Sequence, residues 1–422
     1  MTPTPPGLRG GLRVLRHRDF RLLFLGQSAS IIGDQVVYVA LALFITRRSG
    51  SPTDLGIVLA AGSLPMMALM LFGGVWADRL PRHRIMIVCD LARAALHFTL
   101  AALILAGSVQ IWQIALVEAA FGAARAFFQP AYTGLLPQTV PEDGIHPARA
   151  LTQAIDSVAL LIGPALATVL VLGVGAGEAF LFDAGTFVLS AALLAFVHPR
   201  PRGAPRQQET VLHEMRAGWG EVVTRPWVLA TIAAFTGLML FVYTPWYTLA
   251  PSIARDVYGS AGVFGLFESI AGAGAIIASA VGLAWRPRRP LLVGLLLVAT
   301  WPITSIAAAL AAPLWLVLAL AFVSGFGFGL LLIVWEVALA EHIPPNALSR
   351  VSAYDWMGSL ALAPLGFLLA GPLAAAFGAR EVLAAGGVVG LVLLGLALLP
   401  RSTRTLGHPS RAAAASAEQL AG

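Results

Sequence analysis

Charge is what this sequence has little of. Only 11% of its 422 residues are Asp, Glu, Lys or Arg, against about 25% in an ordinary soluble domain. Its 27 basic and 21 acidic side chains are too few to cover a soluble protein of this length. Disorder is excluded too, because 58% of the residues are apolar and disordered chains are poor in such residues. Lysine is absent, so every basic residue is arginine; with so much Ala, Gly and Leu this points to a GC-rich genome. A single cysteine, Cys89, excludes an intramolecular disulfide and a cysteine-only metal site. No phosphate-cradling loop ending in GK[ST] is present, so no ATP hydrolysis is expected. No His/Cys/carboxylate spacing points to a metal, and no nucleophile–base pair points to an enzyme. A formal charge of +6 is too small and too dispersed to argue for nucleic acid. What remains is an integral membrane protein.

Apolar length is what the chain has in quantity. A helix needs about 20 mostly apolar residues to cross a bilayer. Twelve such spans are predicted, at 20–46, 53–76, 85–106, 110–131, 149–174, 178–198, 227–252, 260–284, 290–311, 313–339, 350–376 and 380–400. With the N-terminus in the cytoplasm, 21 arginines fall inside and 4 outside (Arg47, Arg48, Arg255 and Arg380), while Arg93 and Arg125 lie within spans. That is a strong positive-inside bias, and it places both termini in the cytoplasm. The first apolar run is too long for a signal peptide and has no cleavage site.

The longest polar stretch, 199–226, divides the chain into six spans and six. The expected organisation is a cytoplasmic segment at 1–19, a six-helix bundle at 20–198, a linker at 199–226, a second bundle at 227–400 and a disordered tail at 401–422. Within the linker, residues 209–224 can form an amphipathic surface helix. The halves also repeat in order. Leu136-Pro137 matches Ile343-Pro344, Arg149 matches Arg350, Asp156 matches Asp355, and Gly163-Pro164 matches Pro364-Leu365-Gly366, at an offset near 200 residues. The fold class is therefore all-α: twelve transmembrane helices in two pseudo-symmetric six-helix bundles around a central cavity.

Between spans two and three the sequence reads Gly74-Val75-Trp76-Ala77-Asp78-Arg79-Leu80-Pro81-Arg82-His83-Arg84. Gly73 and Gly74 would let span two approach a neighbour closely. Asp78 is an anion suited to the positive N-terminus of another helix; a solvated turn that sets topology is the simpler alternative. This stretch resembles the signature loop of the major facilitator superfamily, with Pro81 where Gly is usual. The resemblance implies an inner gate built from Gly74, Asp78, Arg79, Arg82, Arg84 and Arg350, with span eleven, opening near Ser349-Arg350, facing Asp78. Further stretches resemble one exporter subgroup that includes enterobactin-type siderophore exporters and macrolide efflux proteins. They are Arg18-Asp19-Phe20-Arg21-Leu22-Leu23, Gly33-Asp34, Asp90-Leu91-Ala92-Arg93-Ala94, Phe127-Phe128-Gln129-Pro130-Ala131 and Phe182-Asp183-Ala184-Gly185-Thr186-Phe187. In span five only Gly163-Pro164-Ala165-Leu166-Ala167 remains of an antiporter motif. That leaves a helix bend at Gly163 and Pro164 open as a structural or a coupling feature.

An ionisable group at mid-bilayer costs at least about 2.5–3.5 kcal/mol, so each one needs a reason. Asp34 lies about 14 residues into span one, roughly 20 Å along the helix, with no Arg on its turn. Desolvation favours the neutral form of a carboxyl, as proton uptake requires, so Asp34 leads the proton-coupling candidates, followed by Glu118, Glu268 and Glu336. Packing by hydrogen bonds is the alternative for each. Asp90 and Arg93, three apart, form a structural ion pair. Asp156 and Asp355 are expected as anchors near the gate, with Arg79, Arg149 or Arg350 as partners. Asp183, near the end of span six, is expected to face water. Arg125, Trp246, Tyr247 and Trp335 are substrate-cavity candidates, the aromatic ones through ligand area and cation–π contact.

The resemblance implies a secondary transporter of the bacterial inner membrane, exporting amphipathic drugs or siderophores by proton antiport with alternating access. Its expected partners are a small-molecule substrate, protons and the lipid bilayer. No cofactor and no nucleic acid are expected, and the chain is expected to be a monomer. An importer or uniporter of the same fold, or a non-transporting membrane receptor or assembly partner, are the alternatives.

Overall fold

The computed structural model describes residues 13–200, 219–285 and 287–407. Among them there is no strand, and twelve helices are long and apolar enough to cross a membrane. The chain is a multi-pass membrane protein. Its surface agrees with that: Val88, Leu116 and Val169 are each more than 60% exposed in mid-helix, where a lipid tail satisfies them and water would not. Exposed Trp112 and Trp315 at helix starts and Trp285 beyond a helix end match the aromatic belts of a bilayer interface.

Local chemistry sets the helix ends. Span one runs Arg18–Arg48. Span two, Pro52–Arg79, opens with Pro52 at its first turn and with Ser51 accepting the backbone N–H of Asp54 at 3.3 Å. Span three is Arg82–Leu105 and ends at Gly107, whose φ of 69° suits only glycine without strain. Span four, Ile111–Leu135, starts with a capping box between Gln110 and Gln113. Spans five and six are Ile145–Gly173 and Ala176–Leu194.

Three later spans are broken where prolines remove a backbone donor. Span seven comprises Pro226–Leu238, a π-helical segment Met239–Tyr243, and Thr244–Tyr258; the π segment lies just before Pro245. Span nine divides into Pro290–Val298 and Thr300–Ala309, with Pro302 past the break. Span eleven divides into Pro345–Leu360 and Ala363–Phe377 around Pro364. Spans eight, ten and twelve are Gly262–Ala284, Leu314–His342 and Ala379–Ala397.

The chain forms two compact units. The first contains the described part of residues 1–206 together with 247–272 and 363–379. Its main helix pairs are two with four, three with six, and one with both five and six. Close approach relies on missing side chains: a Cβ on Gly122 would strike the Gly62 carbonyl, and one on Gly73 the Ala126 carbonyl. The two segments from the second half dock the same way, Gly371 on Thr53 and Gly272 on Leu160. Arg255 also donates to the Thr46 carbonyl at 3.0 Å. The second unit takes 207–246, 273–362 and 380–422, as far as they are described. There span ten packs on both pieces of span nine, and Thr236 donates to the Gly358 carbonyl at 2.8 Å.

Two expectations meet the edges of the described residues. Most of the linker helix expected at 209–224 lies outside them, as does the tail from 408. Residues 401–407, expected as part of a disordered tail, instead include a short helix, Arg401–Thr405, whose Thr403 is fully buried.

Candidate functional site

Polar residues recur at intervals of three and four on three helices of the first unit, so each set shares one face. On span one these are Gln27, Ser30 and Asp34; on span three Asp90, Arg93 and His97; on span six Asp183, Thr186 and Ser190. Glycines join the faces. A Cβ at Gly26 would press on Ser190, and one at Gly33 would collide with Asp183 and Thr186. A hydrogen-bonded chain follows: Gln27 donates to Ser190 at 2.9 Å, and Ser190 donates to Asp90 at 2.7 Å. Asp90 and Arg93 form an ion pair, with the Arg93 guanidinium 4.0 Å from the Phe128 ring centroid and 4.2 Å from that of Phe187. Both charges are buried, so removing either partner alone is expected to cost about 3–5 kcal/mol.

Deeper in the same cluster lies His97, 1% exposed. Its ring stacks on Phe121 with centroids 4.4 Å apart and meets the edge of Phe180 at 5.3 Å. Nδ1 is 2.5 Å from Asp183 Oδ2, and Nε2 is 3.9 Å from Glu118 Oε1. Among the described residues neither His97 Nε2 nor Glu118 Oε1 has a hydrogen-bond partner. Asp183 is fully buried. Its expected place in water is thus corrected: the absent side chain of Gly33 and the His97 contact draw it inward.

Glu118 opens onto a cavity of about 140 Å³. Asp34, His97, Glu118 and Arg125 line it together with apolar and aromatic groups, among them Tyr38, Met66, Phe121 and Phe367. Asp34 is half-buried there, not desolvated as expected, because the cavity reaches its side chain. Drug-sized sites measure about 300–1,000 Å³. This cavity therefore has room for a few waters and for protons, and not for a drug-sized molecule.

The remaining candidates lie elsewhere. In the first unit, Tyr247 donates to Glu268, and its ring lies 4.8 Å from that of Tyr38, which links Glu268 to the cavity wall. Gly163 packs directly against Gln35, beside Asp34, so the Gly163-Pro164 bend carries a close helix contact. In the second unit, Trp335 is buried and meets Trp227 edge-on at 5.6 Å. Its indole donates to Asp355 at 2.8 Å. That corrects the expectation for Trp335, whose indole is turned to Asp355 and not to a ligand, and gives Asp355 an anchor. Trp246 is also buried, at 4% exposure, and Glu336 is exposed. Asp156 is half-buried and Arg149 exposed.

In the loop motif, Arg82 donates to the Gly134 carbonyl at 2.5 Å and to Ala77 at 3.3 Å, which ties the ends of spans two and four. Gly74, expected as a contact glycine, has nothing within 4 Å of the point where a Cβ would stand; Gly73 alone makes the close approach. Arg79 and Arg84 are exposed, and Arg350 is half-buried. The Asp78 side chain lies outside what is described. Among the described residues no cluster of His, Cys, Asp and Glu could hold a metal ion.

Twelve apolar spans and an ionisable cavity in the first unit call for comparison with known proteins. The sequence model of the Major Facilitator Superfamily matches residues 23–303. The chain belongs to that superfamily. Among relatives of this superfamily, the multidrug efflux pump Tap of Mycolicibacterium fortuitum is 28% identical over 396 residues, covering 90% of this chain and 95% of that protein. Macrolide efflux protein A of Streptococcus pyogenes is 26% identical over 242 residues, covering 57% and 59%. A bacterial homolog of the human lysosomal transporter Spinster, inward-facing and unoccupied, aligns with a TM-score of 0.68 at 17% identity over 93% of this chain and 99% of that one. The nucleoside transporter NupG aligns at 0.73 with 13% identity, over 91% and 99%. These two structures show the fold alone. The chain is accordingly a major facilitator transporter with efflux pumps among its relatives.

Sequence reasoning missed His97 altogether and misplaced Asp183. The available signal was the matched spacing of 90, 93 and 97 with 183, 186 and 190, two polar stripes that apolar helices do not carry without facing each other.

Proposed function

We propose that the chain exports amphipathic small molecules from the cytoplasm in exchange for protons. The observation that carries this reading is the small cavity lined by Asp34, Glu118 and Arg125 together. Two carboxyls and one guanidinium lining one small cavity within a membrane-spanning bundle make a candidate site for a bound proton. The cavity is too small for a drug, so coupling is its role, and Arg125 holds the carboxylates until protonation releases them. Relatives named as multidrug and macrolide efflux proteins support export and the amphipathic substrate class. The distribution of arginine supports a bacterial inner-membrane setting with both termini inside. Asp78 serves as the gate anion, the role its motif has in the superfamily.

The test uses purified full-length protein in liposomes with an imposed pH gradient, acid inside, and ethidium and erythromycin as probes. Antiport drives at least one probe inward against its concentration gradient, and a protonophore stops it. Movement of neither probe, or movement indifferent to the pH gradient, overturns the reading.

A further inference from the structure

A cavity for a few waters does not account for the titratable groups in its wall. His97 is buried and touches two acids from two other helices: Asp183 on span six at 2.5 Å, and Glu118 on span four at 3.9 Å. Asp34 on span one, Arg125 on span four, and Asp90 with Arg93 on its own helix complete the charged groups around it. Asp90 and Arg93 balance each other. Three carboxyls (Asp34, Glu118 and Asp183) are then set against Arg125 and His97. Even with His97 protonated the group is one positive charge short of neutrality, and uncompensated charge in a membrane interior is costly. Arg93 Nε, His97 Nε2 and Glu118 Oε1 lack hydrogen-bond partners among the described residues, and the last two lie 3.9 Å from each other. A structural histidine would have both nitrogens satisfied.

We propose that Glu118, His97 and Asp183 form a proton store in the wall of the cavity, with Glu118 as its entrance. This rests on the proton-coupled reading above. A proton arriving through the cavity is held as the O–H of Glu118. A rotation of that carboxyl closes the 3.9 Å gap to hydrogen-bond length. The O–H bond breaks, an N–H bond forms at Nε2, and Glu118 is left as the carboxylate. His97, already donating from Nδ1 to Asp183, becomes an imidazolium between two carboxylates. The net charge is unchanged while a carboxylate–imidazolium pair replaces two neutral groups, and the return step is the reverse. Asp183 is a positioning residue: it fixes the tautomer that leaves Nε2 free to accept. Phe121 and Phe180 pack on the ring, which borders the cavity but is only 1% exposed, so exchange with the more open Glu118 is the route the geometry offers.

The experiment is a pH-difference infrared titration of the purified full-length protein in liposomes, without substrate. In the wild type, a carboxyl C=O signal and an imidazole signal change together over one pH interval. Glu118→Gln abolishes that carboxyl change and moves the imidazole change by one pH unit or more. His97→Gln removes the imidazole signal and moves the carboxyl change by a similar amount. Asp183→Asn moves the imidazole signal and retains the carboxyl one. A carboxyl change that is the same in wild type and His97→Gln overturns the proposal. Should His97→Gln fail to fold, an imidazole signal unmoved by Glu118→Gln, a residue at the cavity surface, overturns it equally. If the coupled titration is seen but no proton accompanies transport, the store stands and the antiport reading fails.

Discussion

Single residues decide how closely the helices of the first unit meet, and two glycines of similar appearance differ in what they do. Gly33 abuts Asp183 and Thr186, whereas Gly74 faces open space. Gly33→Ala must push Asp183 off His97 or force spans one and six apart, an overpacking cost of about 1–3 kcal/mol. Gly74→Ala meets nothing and gains helix propensity. Thermal unfolding in detergent is expected to fall clearly for Gly33→Ala and to hold or rise for Gly74→Ala; equal effects would contradict the packing described. The sequence distinguishes these two glycines poorly, because contact glycines and idle ones look alike until the facing helix is known. His97 was illegible for the same reason. Its partner Asp183 is 86 positions away, and no local spacing reveals which buried acid a lone histidine will meet. Asp90 and Arg93 were legible because both partners sit on one helix, three residues apart.

At the level of elements, apolar run length was enough to locate all twelve spans, since a bilayer imposes one length on each of them. The breaks within spans seven, nine and eleven were only partly legible. A proline within an apolar span, here Pro245, implies a disturbance, but its form, a π segment at Met239–Tyr243, depends on how the backbone recovers the lost hydrogen bond. Trp335 shows a different limit. A Trp beside a Glu in an apolar helix reads as a ligand wall, yet the side chain turned to Asp355 and Trp227, where the indole N–H and the ring are both satisfied. The tail shows the reverse case: an Ala/Ser-rich composition hid the helix Arg401–Thr405 because its anchor is one buried threonine.

For the whole molecule, the arginine distribution argues for both termini on the same side of the membrane as the loop at 79–84. A fluorescent protein fused after Gly422 is expected to fluoresce in the cytoplasm, and alkaline phosphatase fused in the connection after Arg48 is expected to be active outside. Inactive phosphatase there, with an active fusion at 79–84 instead, would reverse the orientation and with it the direction of export. The compact units also bear on the transport cycle. Segments 247–272 and 363–379, from the second half of the sequence, pack within the first unit through Gly272, Gly371 and Arg255, so any movement of these segments has to break those contacts. The central claim is that the carboxyls of the small cavity couple this movement to a proton. The most direct measurement is the proton flux recorded when ethidium or erythromycin flows down its own gradient through liposomes holding wild type or Asp34→Asn. The account predicts opposing proton movement in the wild type and its loss, or at least a tenfold reduction, in Asp34→Asn with probe binding retained. Undiminished proton flux in the variant, or none in a wild type that still moves the probe, would contradict it.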